Sequence, residues 1–154
     1  MEHYVFIIAY KAARSINPLG TEFFKELTDK KMWVVHHNTQ HRDHIQAGDK
    51  VLFYLAGEQV FLGAAEIEAT AIPARDAWLI PYMLRNPYKF VLRKLRIFNK
   101  SVSRQDLFGV YDLARRRQNR LNPTISPMWM PTQGGCNRIS MQDYEKVLLK
   151  GTKQ

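Results

Sequence analysis

Cysteine is nearly absent from this sequence: Cys136 is the only one. A single thiol excludes an intramolecular disulfide and any thiolate-rich zinc or iron–sulfur centre, and it suits a reducing compartment, so the expected location is cytoplasmic. Long apolar runs are missing as well. No segment approaches the roughly 20 residues a helix needs to cross a bilayer. The opening MEHYVFIIAYKAAR has a short apolar segment with no basic flank before it, and is read as a first strand, not a signal peptide. Nor is there a GxSxG elbow, a Walker loop, a GxGxxG turn, an HExxH pair, or two carboxylates in settings that would separate their pKa values. Acyl transfer, nucleotide hydrolysis, hydride transfer and zinc proteolysis therefore lack support, and no cofactor and no metal is expected.

Acidic residues are outnumbered 14 to 23 by Lys and Arg, for a net charge of +9 over 154 residues. The excess is local. Between Arg85 and Arg120 stand 11 basic and two acidic residues, which leaves 12 of each elsewhere. Such a block suits a polyanion-binding face. Arginine dominates it, and the planar guanidinium fork fits phosphate and stacks on bases, which favours nucleic acid over membrane lipid.

Hydrophobic periodicity gives a coarse map with no repeats and one expected domain over residues 1–154. HYVFIIA from His3 is a buried strand, and Thr21 to Asp29 is a helix with Phe23, Phe24 and Leu27 on one face. KMWVV is a second strand. NTQHRDHIQAGD, with Asn38 or Thr39 as cap and Gly48 as stop, suggests a helix of about two turns. A hairpin follows, turning at Gly57-Glu58. In YKFVLRKLRIF the alternation slips phase near Arg93-Lys94, which predicts a bulge. Ser140 caps a last helix, with Asp143 at the third position, Ile139 stapled to Tyr144, and Gly151 expected as its end. The sum is an α+β domain on a small, strongly curved sheet of about five strands.

Four of the five histidines crowd into HHNTQHRDH. On a helix, His37, His41 and His44 would share one face within reach of an ion, although Asp43 points off that face and no general-base glutamate is in place. Ordinary surface histidines are the commoner outcome. Cys136 has nothing near it in sequence to lower its pKa, so it is read as an incidental thiol and not a nucleophile.

The stretch WVVHHNTQHRDHIQAGDKVLFYLAGEQVFLGAAEI resembles the signature of the EVE domain family, which groups with the YTH, ASCH and PUA domains. Trp33, Asn38, Gln40, Arg42 and Asp43, then Gly48-Asp49, Phe53-Tyr54 and Leu62-Gly63, fill the pattern without a gap. The tail QGGCNRISMQDYEKVL is similar to the family's closing segment. The two blocks cover about a third of the chain. The sequence departs from the pattern at Val35-His36-His37 and at Leu55-Ala56, which leaves the identity of any recognised base open.

The resemblance implies a PUA-like curved sheet or pseudo-barrel of five or six strands flanked by short helices. It also implies a reader of modified bases that holds a flipped or unpaired base in an aromatic pocket. Extruding a base costs a few kcal/mol, which aromatic faces and edge hydrogen bonds recover. On this reading Trp33 is a pocket wall or the anchor beneath it, Asn38 contacts the base edge, and Tyr54 is a second wall. His36 or His37, at the pocket mouth, hydrogen-bonds a base or touches phosphate, with binding that weakens above pH 7. Residue type and loop position add Trp78, Trp129 and Gln133. Phosphate contacts are expected from Arg93, Lys94, Arg96, Arg115, Arg116, Arg117 and Arg120. The partner would be DNA or RNA, bound without catalysis. The alternatives are a small ASCH-like hydrolase using Lys50 or Lys94 with Glu66, or a protein-binding or small-ligand module of the same fold.

Overall fold

The computed structural model describes residues 1–8, 20–36, 38–75, 88–109 and 135–153. In chain order the elements are β1 (His3–Ile8), α1 (Gly20–Asp29), β2 (Met32–Val35), β3 (Lys50–Leu55), β4 (Val60–Pro73), β5 (Tyr88–Ser103), α2 (Arg104–Phe108), β6 (Cys136–Arg138) and α3 (Met141–Thr152). The six strands form one curled, half-barrel sheet in the order β2-β5-β4-β3-β1-β6. β1 runs parallel to β3, and the other pairings are antiparallel.

The central strands are apolar on both faces, and each face meets a different helix. Along β3, Val51, Phe53 and Leu55 join Phe23, Phe24 and Leu27 of α1, while Leu52 and Tyr54 join Tyr144 and Val147 of α3. This two-sided burial explains why β1 and β3 read as continuous apolar runs and not as alternating ones.

Two local features shape the sheet. Between the pairs Glu66↔Arg93 and Ala64↔Arg96, β5 advances three residues for two on β4, and Lys94 takes a φ of 50°. The bulge foreseen at Arg93-Lys94 is therefore present. Just beyond it, a Cβ on Gly63 would stand 2.5 Å from the Arg96 carbonyl oxygen, so only glycine lets β4 approach β5 there.

The hairpin expected at Gly57-Glu58 joins β3 to β4. Ser140 caps α3, its hydroxyl accepting the Asp143 N–H at 3.1 Å. Gly151, expected to end α3, instead lies inside it. A Cβ there would come within 2.5 Å of the Phe98 ring, so the residue is glycine for packing and not for a turn. The family's closing segment implies a glycine-containing strand before the final helix, and β6 is that strand, three residues long; the five-residue α2 was not foreseen.

Candidate functional site

The segment after β2 is a run of turns, and the two-turn helix expected there does not form. His41 takes a φ of 63°, which no residue inside a right-handed helix can hold. The Arg42 N–H reaches the Thr39 carbonyl, and the His44 and Ile45 N–H groups both return to that of His41. The shared face proposed for His37, His41 and His44 is lost with the helix. Among the described residues no cluster of three metal-ligating side chains exists, and His37 lies outside them.

Short polar side chains shape the first of these turns. The His36 N–H donates to Thr39 Oγ1 at 3.0 Å, and the Asn38 N–H donates to His36 Nδ1 at 3.1 Å. A ring nitrogen that accepts carries no proton, so this arrangement belongs to the neutral imidazole with its proton on Nε2. The Asn38 amide is exposed; Asn38 does not cap a helix.

Thr39 then meets the far end of the chain. Gly135 lies against it, the position of a Gly135 Cβ being 3.6 Å from Thr39 Oγ1. β2 and β6 are the two edges of the sheet, so this contact joins the segment after one edge strand to the segment before the other. The two sequence blocks that carry the family resemblance thus meet at one seam. Nearby, the His41 ring stands 5.8 Å from that of Tyr4. Burial first, then Arg138 and His44, hold the His41 pKa below 6.5. Arg42 stacks its guanidinium 4.0 Å over the Tyr88 ring at the start of β5. Its buried Nε finds no acceptor among the described residues, and Asp43 pairs with its Nη2 at 3.4 Å. Sequence reasoning gave Arg42 no role; its place in the motif was the available signal, but its stacking partner lies 46 positions away.

The two proposed aromatic walls do not face each other. Trp33 is 4% exposed, with Phe6, Phe23, Phe24 and Phe53 around it at centroid distances of 5.0 to 6.3 Å. It anchors the core three residues before the seam turn begins. Tyr54 is 1% exposed and belongs to the opposite layer, packed on Phe61 at 5.0 Å. Because strand side chains alternate, Tyr54 points away from the layer that holds Phe53 and Trp33, and its assignment as a second wall is withdrawn. Trp78, Trp129 and Gln133 fall outside the described residues, as do Arg115, Arg116, Arg117 and Arg120.

The basic stretch divides in the same way. Arg93, Lys94 and Arg96 are exposed on the bulged part of β5. Arg93 Nη2 and Lys94 Nζ hold the two oxygens of Glu66 at 2.6 and 3.3 Å, which keeps that carboxyl below its usual range and ionised. Arg104, by contrast, is fully buried and donates to the Gly109 carbonyl at 3.1 Å, so it supports α2 and adds nothing to the basic surface. Burial pushes the Cys136 thiol up to about 12, which leaves it protonated and unreactive.

No protein-family model matches the chain, and no curated protein matches it in sequence. Solved structures do. Human THYN1, in complex with DNA containing 5-methylcytosine, aligns over 100% of this chain and 99% of its own at a TM-score of 0.57 and 13% identity. The YTH domain of Zygosaccharomyces rouxii MRB1, in complex with N6-methyladenosine RNA, aligns over 96% of this chain and 86% of its own at 0.60 and 15%. The fold is PUA-like. An Agrobacterium tumefaciens protein extends the likeness, covering 99% of this chain and 94% of its own at 0.54 and 16% identity. In this PUA-like fold α1 packs on one face of the curled sheet and α3 on the other.

Proposed function

We propose that residues 1–154 form one nucleic-acid-binding domain of the EVE type, which recognises a modified or unpaired base at the seam between the β2 turn and β6. The observation that carries the reading is the meeting of the two motif blocks at Thr39 and Gly135, in a fold whose neighbours were solved with methylated-base DNA and RNA. His36 and Asn38 supply polar groups at that seam, and Arg42, stacked on Tyr88, supplies a flat cation suited to a base face or a phosphate. Trp33 serves as the anchor beneath. Arg93, Lys94 and Arg96 act as phosphate contacts on the bulged part of β5, with Arg96 the better placed because Arg93 and Lys94 are both paired with Glu66. Within this reading Glu66 is the ion-pair partner of Arg93 and Lys94 and not a general acid, since both cations hold its carboxyl below the usual range.

The test is binding of short single- and double-stranded DNA and RNA, with and without base methylation, at two salt concentrations. The expected result is a preference for one modified member and an affinity that falls steeply with salt, since phosphate contacts release counterions. Asn38→Ala and Arg42→Ala should abolish the preference without unfolding the protein. Equal binding of all members, unchanged by either substitution, would refute base recognition.

A further inference from the structure

A recess of about 200 Å³ opens beside the β4–β5 bulge, where α3 crosses the sheet. Lys50, Lys94 and Arg96 line it with Glu66 and Tyr144, and Ala64 and Leu148 complete the lining with apolar surface. It is smaller than the roughly 300 to 1,000 Å³ of pockets that enclose whole organic ligands, so it suits a compact charged group and not a nucleobase.

Its charge arrangement is produced by the bulge. On a regular strand Arg93 and Lys94 would point to opposite faces. With Lys94 at a φ of 50°, both reach the same carboxylate, one on each oxygen of Glu66. A single negative charge is thereby shared by two cations, while Lys50 stands opposite Glu66 in the β3–β4 register and Arg96 follows two residues after Lys94. The recess is left strongly positive. Tyr144 adds a neutral donor: burial first, and the nearby Glu66 second, push its hydroxyl up to about 12, so it keeps its proton at any ordinary pH.

We infer that this recess binds a phosphate monoester, as found at the end of a nucleic-acid strand, with Lys50, Lys94 and Arg96 as its cationic ligands and Tyr144 as a hydroxyl donor. A monoester carries about −1.5 to −2 charges at pH 7 and three acceptor oxygens, whereas a backbone diester carries one charge and leaves the recess under-neutralised. Its attachment through a single ester link also leaves three oxygens free to meet Lys50, Lys94 and Arg96 together. The strand end as source rests on the nucleic-acid reading above; the preference for the monoester itself does not.

Two measurements on the full chain separate these claims. In the first, inorganic phosphate is titrated against chloride at matched ionic strength while backbone amide resonances are followed. Shifts at Ala64, Glu66 and Tyr144 with phosphate alone are expected; shifts no larger than with chloride would overturn the inference. In the second, one oligonucleotide is compared with and without a 5′-phosphate. The phosphate should tighten binding at least about tenfold, as charged hydrogen bonds of this kind do. Lys94→Ala and Arg96→Ala should each remove most of that gain, and Glu66→Gln should enlarge it by freeing Lys94, an increase that loss of structure cannot imitate. A gain that survives both alanine variants would place the phosphate elsewhere and refute the assignment. Phosphate shifts without a strand-end gain would refute the strand as source and leave a free phosphate ester as ligand. If phosphate binds and no oligonucleotide does, base recognition fails while the recess stands.

Discussion

Trp33 and Asn38 are five residues apart in one motif, yet the first is enclosed by four aromatic rings and the second lies open to solvent. Strand β2 is held by packing. The turn after it is held by short polar bonds among His36, Asn38 and Thr39. The difference teaches that one stretch of sequence can encode a scaffold and the surface it presents, and that the two halves answer to different measurements.

The sharpest contrast is in stability. Trp33→Ala should cost about 3–5 kcal/mol in chemical denaturation, the range for emptying a large aromatic site in a packed core. A loss under about 1 kcal/mol would show that Trp33 is not the anchor described here. Gly151→Ala should cost about 1–3 kcal/mol, because its new methyl meets the Phe98 ring and the neighbours must shift; an unchanged midpoint would mean that Phe98 moves aside freely. Ser140→Ala, which removes the cap of α3, should cost about 1 kcal/mol. Asn38→Ala closes the series at the other side of the comparison: its effect on stability should stay within about 0.5 kcal/mol while base preference is lost. Equal damage to folding and binding would erase the distinction between strand and turn.

The turn region also makes a prediction for pH. His41 and His3 both have pKa values held below 6.5, in each case chiefly by burial, with neighbouring cations adding to it. Below 6.5 the unfolded chain therefore binds protons that the folded protein resists, and stability rises with pH wherever that is so. Their contribution should be fully favourable above about pH 7 and decline as pH falls through 6.5. Denaturation midpoints measured at several pH values check this, and His41→Asn should flatten the slope.

Elements whose signals are local were legible in the sequence. The Ser140 cap, the Gly57-Glu58 hairpin and the slip at Arg93-Lys94 are each decided by residues within a few positions of one another, and each is present. What failed was decided at long range. Tyr54 looks like a pocket aromatic until the alternation of β3 and the placement of α3 put it in the second layer. Gly151 looks like a helix stop until Phe98 is brought against it from 53 residues away. The turn after β2 has helix-compatible residues, and only the left-handed His41 breaks them. That conformation belongs to the connection from β2 to β3, where tertiary context overrides local propensity. For the proposed site, the motif marks the stretch that forms the seam, but it could not separate Trp33 as buried support from Asn38 as surface, nor supply Tyr88 as the partner of Arg42.

The most direct test of the central claim is to record backbone amide shifts of the full chain with two oligonucleotides that differ only by methylation of one base. Base recognition at the seam predicts that the difference between the two spectra is concentrated at residues 36–42 and at Gly135, with the bulge of β5 responding alike to both. A difference centred on α3, or no difference at saturating concentrations of either strand, would contradict it.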